Sequence, residues 1–167
     1  MDSSNQSNHF DAHGAAQMVD ISAKSKTARR ASASGRVRMA NHTCRKIRDQ
    51  QFAKGDVLAV ARLAGIMGAK QTSHLIPLCH PLALESVAIE FSFIEMPNSQ
   101  DACVEINAFA AVSGKTGVEM EALVAVSAAA LTIYDMCKSV DRSMVIETIQ
   151  LDEKSGGQSG HFERASD

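Results

Sequence analysis

Past Thr116, four charged side chains lie on the otherwise apolar part of the stretch Ser113 to Lys138: Glu119 and Glu121 near its start, Asp135 and Lys138 at its end. Carboxylates and ammonium groups in an apolar segment carry a desolvation cost unless they are paired or face a cleft. Their pKa values are therefore open to displacement, which suits them to moving protons. The alternative is bland. The two glutamates then complement the positive end of a helix, and Asp135 with Lys138 is an ordinary ion pair three residues apart. Three more groups can join them. Lys54 stands at the turn Lys54-Gly55-Asp56. His80 lies in Leu75-Ile76-Pro77-Leu78-Cys79-His80-Pro81-Leu82, where two prolines stiffen the loop and Pro81 biases His80 towards extended backbone. A stiff loop can aim an imidazole, although a hydrogen-bonded structural histidine fits the same pattern. Lys154 opens Lys154-Ser155-Gly156-Gly157-Gln158-Ser159-Gly160, whose amides can approach phosphate oxygens; a frayed terminus is the other reading.

Other apparent motifs carry less. Gly114-Lys115-Thr116-Gly117 is not a Walker A loop, because Phe109 stands where that motif needs glycine. His9 and His13 are four apart without a third ligand, in a polar segment with no reason to be helical, so no metal site is expected. Cys44, Cys79, Cys103 and Cys137 form no C-x-x-C pair and read as reduced, buried thiols of a cytoplasmic protein. The net charge of -2 speaks against a nucleic-acid partner. Neither a secretion signal nor an uninterrupted apolar run long enough for a membrane span is present.

The elements that must position these groups follow from pattern. The length of 167 residues and 45% apolar content suit one domain with a real core. Residues 1–17 and 163–167 read as a flexible arm and tail around a domain at 18–162. Met18 to Ile21 can pair as an edge strand, and the basic stretch from Ser22 to Gly35 reads as a surface loop whose Lys24, Lys26, Arg29 and Arg30 can reach an anion or a neighbouring subunit. A short strand is expected over Val37 to Ala40 and a short helix from Cys44 to Gln50. Asp56 caps a helix that runs towards Pro77 with small residues permitting close packing. Val87, Ile89, Phe91 and Phe93 share one face of a strand. Ala102, Val104, Ile106, Ala108 and Ala110 share one face of the next, across the turn Met96 to Asp101, giving an antiparallel hairpin. Thr116 and Glu119 form a capping-box pair, so the long helix is expected just after Thr116. Met144 to Leu151 supplies the last strand. The order strand, helix, strand, strand, helix, strand predicts an α+β ferredoxin-like plait with helices on one face of an antiparallel sheet.

Lys54-Gly55-Asp56, LIPLCHPL, GKTGVEMEAL, ALTIYDMCK and KSGGQSG, taken in this order, closely resemble the MoaC family, the cyclic pyranopterin monophosphate synthases of molybdenum cofactor biosynthesis. The resemblance covers Met18 to Phe162 with no departure at the motif positions. It implies rearrangement of a cyclic dihydroguanosine triphosphate to the cyclic pyranopterin phosphate with loss of pyrophosphate. It also implies a hexamer built as a trimer of dimers, with sites at dimer interfaces. Carried over residue by residue, it makes Asp135 the general acid/base with Lys54 and Lys138 as catalytic partners. Leu78, Cys79, His80, Met120 and Glu121 line the pocket, Glu119 and Lys154 join them, and Lys154 holds phosphate. No redox cofactor is implied, and a divalent cation can accompany the triphosphate. A non-catalytic nucleotide-binding oligomeric module is the alternative on the same fold.

Overall fold

The computed structural model describes residues 9–11, 13–96, 99–158 and 160–165. In chain order the elements are β1 (Thr27–Ala40), α1 (Asn41–Arg48), α2 (Val57–Lys70), α3 (Thr72–Leu75), β2 (Ser86–Glu95), β3 (Asp101–Gly114), α4 (Glu119–Cys137), β4 (Val145–Ser155) and β5 (Phe162–Glu163). The strands form one open antiparallel sheet in the order β2-β3-β1-β4-β5, and with its helices the fold is α+β. Register puts like with like on the core side. Ala31 stands opposite Ala110, Ala33 opposite Ala108, Val37 opposite Val104 and Met39 opposite Ala102, and all eight are buried. Across β3, Ile89 pairs with Ala108 and Phe93 with Val104. The other side is polar, with Arg36 paired to Glu105 at 3.2 Å and Arg38 bridging Asp101 and Glu147 at 2.9 and 2.6 Å.

The small side chains on the core side of β1 have a packing reason. α4 lies across β1, β3 and β4, and α2 packs on α4 and β2. At Gly35 a Cβ atom would come within 2.5 Å of Val126 Cγ1 and 2.7 Å of the Thr148 carbonyl oxygen, so the helix rests almost on the backbone. α2 approaches α4 as closely. At Gly68 a Cβ would meet the Ala128 methyl at 2.8 Å, as the small residues of α2 predict. By length and composition α4 is apolar enough to cross a membrane, but 56% of its most apolar window is buried in the fold, where it serves as the central core helix.

Several expectations are corrected. The basic stretch is no loop: Thr27 to Gly35 is the first half of β1, a central strand paired on both edges. Met18 to Ile21 forms no strand. The first short helix is Asn41–Arg48, earlier than expected. The helix capped by Asp56, whose Oδ1 accepts from Leu58 N and Ala59 N at 3.0 Å each, ends at Lys70. There Thr72 Oγ1 donates to the Ala69 carbonyl at 2.9 Å and a separate turn, α3, follows. The capping box does not form, since α4 starts at Glu119 behind Val118 with no side-chain cap. β4 runs on to Ser155, which puts Lys154 within a strand, and the tail pairs back through Glu163 opposite Glu153. Residues 1–8 and 12 of the expected arm, 97–98 of the hairpin turn, 159 of the glycine-rich loop and 166–167 of the tail lie outside the described residues.

Candidate functional site

The first turn of α4 and the loop after α3 close on each other around a cavity of about 420 Å³. The loop contributes Leu78, Cys79 and His80, all half-buried, and the helix contributes Glu119, Met120 and Glu121. Pro77 and Leu78 form a turn in which Cys79 N donates to the Ile76 carbonyl at 3.1 Å, and residues 119–121 are placed by a helix whose next turns, Ala122, Ala125, Val126 and Ala129, are locked in the core. Six of the residues chosen from sequence therefore meet in one cavity. Lys154 reaches its edge from β4, with Nζ 3.7 Å from Glu119 Oε1.

Electrostatics separate the two glutamates. Glu121 is 4% exposed, and burial pushes its carboxyl up, against a smaller opposing backbone hydrogen bond and with the Glu119 carboxylate adding to the rise. Such a group can hold and give a proton closer to neutrality than an ordinary glutamate. Burial likewise pushes the Cys79 thiol up, with Glu121 adding to it, so Cys79 is an uncharged wall and not a ready nucleophile. Among the described residues the His80 imidazole makes no hydrogen bond, and it lines the cavity beside Cys79.

A second polar cluster sits at the other end of α4. Lys138 Nζ donates to Asp135 Oδ1 at 2.6 Å, while Lys54 Nζ donates to the Asp135 carbonyl oxygen at 3.2 Å and lies 3.9 Å from Oδ2. Lys54 is delivered by the turn that Asp56 caps, where Gly55 takes a φ of 98°. Ile133, Met136 and Cys137 take the inward side of the last turns and leave Asp135 outward, its side chain 62% exposed. This corrects the expectation that burial displaces the pKa of Asp135. The Lys138 hydrogen bond, the Lys138 charge and then Lys54 hold the carboxyl below the usual carboxylate range. In one chain the cluster is a carboxylate between two ammonium groups, set apart from the cavity.

The N-terminal segment supplies parts of the site that sequence reading assigned elsewhere. Val19 and Ile21 line the cavity together with Lys24, and Thr116 and Gly117 close it beside the helix start. The alternation of Val19 and Ile21 was the available signal, but it reads equally as a strand. Of the basic residues flagged there, Lys24 faces the cavity. Arg29 is built into the frame, with Nη2 donating to the Lys115 carbonyl at 3.3 Å and Nη1 to the Gly156 carbonyl at 3.5 Å. The Gly156-Gly157 turn closes directly over that guanidinium: a Cβ at Gly157 would lie 1.7 Å from Nη1. His9 and His13 belong to no metal-binding group among the described residues.

The model of the MoaC family matches residues 18–157. Curated relatives named cyclic pyranopterin monophosphate synthase include one from Heliobacterium modesticaldum, 60% identical over 156 residues, covering 93% of this chain and 96% of the relative. Another, from Desulfitobacterium hafniense, is 58% identical over 93% of each chain. A third, from Dinoroseobacter shibae, is 58% identical over 93% of this chain and 96% of its own length.

Proposed function

This chain belongs to the MoaC family, and we propose that it is a cyclic pyranopterin monophosphate synthase of molybdenum cofactor biosynthesis, releasing pyrophosphate as it converts a cyclic dihydroguanosine triphosphate. The observation that carries the reading is the cavity in which Leu78, Cys79 and His80 face Met120 and Glu121, with Glu119 and Lys154 at its edge. Opening a purine-derived ring and closing a pyranopterin moves protons on and off nitrogen, carbon and oxygen. Glu121, protonated more readily than usual, suits one end of such transfers, and Asp135, held as a carboxylate between Lys54 and Lys138, suits the other. Lys154 and Lys24 supply the cations that a triphosphate needs. No redox cofactor enters, because the net change is rearrangement with phosphate cyclisation; a divalent cation travels with the triphosphate where one is used.

The same reading takes the architecture as a ferredoxin-like plait. Supporting it is the order β2-β3-β1-β4, with β1 and β3 central and α2 and α4 as the crossing helices, to which β5, α1 and α3 are additions. It takes the assembly as a hexamer, a trimer of dimers in the cytoplasm, with each site completed by two chains. The argument is axial. Glu121 and Asp135 are 14 positions apart on one helix, roughly 21 Å along its axis, which one compact pterin ring system does not span.

Incubating the pure protein with the cyclic dihydroguanosine triphosphate tests the activity. One pyrophosphate and one cyclic pyranopterin phosphate should appear per substrate consumed. Recovery of the nucleotide unchanged, after binding, would leave the non-catalytic module instead.

A further inference from the structure

Residues 17–21 belong to neither helix nor strand, yet they form one wall of the cavity. Val19 and Ile21 are half-buried and face it, while Asp20 between them and Ser22 after them are exposed. The segment makes its own turn: Asp20 Oδ1 accepts from Ser22 N at 2.8 Å and from Ser22 Oγ at 2.5 Å, and Lys24 N donates to the Ile21 carbonyl at 3.1 Å. That turn presents the Ser22 carbonyl, and Lys115 Nζ donates to it at 2.7 Å. Among the described residues this is the only hydrogen bond joining residues 9–26 to the rest of the chain. Lys115 is itself anchored, since its carbonyl accepts from Arg29 Nη2, and it sits in the turn between β3 and α4 beside Thr116 and Gly117 of the cavity wall.

We propose that Lys115 is a latch: it fastens the segment 18–24 against the cavity and so positions Val19, Ile21 and Lys24 for the ligand without touching the ligand itself. A hydrogen bond from an ammonium to a carbonyl is stronger than a neutral one. The two half-buried apolar side chains and this bond are what keep the wall closed. A bulky anionic ligand that enters from that side displaces the segment, and one breakable contact makes that inexpensive. The role of Lys24 towards substrate rests on the function proposed above; the latch does not.

Lys115→Met keeps the aliphatic stem and removes the donor, whereas Lys115→Arg keeps a donor. Native-state trypsin cleavage after Lys24 reads the opening of the wall. In the Met variant it should quicken by about tenfold, as expected from losing one charge-assisted hydrogen bond, and the Arg variant should recover much of the protection. With the cyclic dihydroguanosine triphosphate, KM should rise by a comparable factor while kcat stays near the wild-type value. Wild-type cleavage rates in a folded Met variant overturn the latch. So does a raised KM with unchanged cleavage, which would put the Lys115 ammonium on the ligand. If the Met variant does not fold, Asp20→Ala, which dissolves the turn from the exposed side, should quicken the same cleavage, and its failure to do so also overturns the proposal. Should the wild type release no pyrophosphate, the functional reading fails while the cleavage comparison still decides the latch.

Discussion

Lys138 Nζ lies 2.6 Å from Asp135 Oδ1, so the carboxylate at the end of α4 is held by the ammonium group three residues on. Asp135 is exposed, and its carboxyl is lowered by that hydrogen bond and then by the charges of Lys138 and Lys54. At neutral pH it rests as a base, and any proton it donates must first be collected. Asp135→Asn keeps the shape and loses the base. The fold should survive, with an unchanged melting curve, while pyrophosphate release drops by about 10²- to 10⁴-fold, the range for a positioned acid/base group. Near-normal release would remove Asp135 from the chemistry.

Glu121 should trade stability for function. Its folded carboxyl titrates above the ordinary value of 4.5, because burial penalises the charge. Between 4.5 and the raised value the folded state keeps a proton that the unfolded state has lost. Stability therefore falls as pH rises through that window, and the full cost persists above it. Glu121→Gln has no such titration. Its melting temperature should exceed that of the wild type at pH 8, with the gap closing towards pH 4, while activity is lost. A gap that widens on acidification would show that burial does not dominate this carboxyl.

Gly35 tests whether the small residues of β1 exist to admit α4. In Gly35→Ala the new methyl would meet Val126 and the Thr148 carbonyl, and backbone on one side cannot move aside cheaply. Overpacking of this kind costs about 1–3 kcal/mol. Urea unfolding should show a lower midpoint with an unchanged slope. An unaltered midpoint would mean that α4 has room to lift.

That contact also explains what the sequence conceals. A central strand is normally read from branched and aromatic residues, but Ala31, Ala33 and Gly35 lie beneath a helix that leaves space for little else, and Arg30, Ser32 and Ser34 alternate with them as in a surface loop. Local signals fared better where the physics is local. Asp56 caps α2 as its position implies, and β2 and β3 pair along the alternating faces read from the residues. The Thr116 capping box failed because Glu119 is the first residue of α4, with its carboxylate near Lys154. The site residues near the helix start were legible as types. The wall formed by Val19 and Ile21 was not, since nothing local says which distant surface a short apolar alternation covers.

The separation of the two clusters gives the most discriminating prediction. Positions 121 and 135 differ by 14 residues, and at 100° per residue they return to within about 40° of one another, so the two carboxylates share a stripe of α4. A twofold axis that sets this stripe antiparallel to its copy brings Glu121 of one chain towards Asp135 of the other and makes two equivalent sites. Glu121→Ala and Asp135→Ala should each be inactive alone. Unfolded and refolded together, they pair at random, and about half of the dimers are mixed. Each mixed dimer holds one site with both defects and one with neither, so about a quarter of wild-type pyrophosphate release should return. If subunit exchange is confirmed by mass and nothing returns, each chain carries its own complete site, or one of the two carboxylates lies outside it.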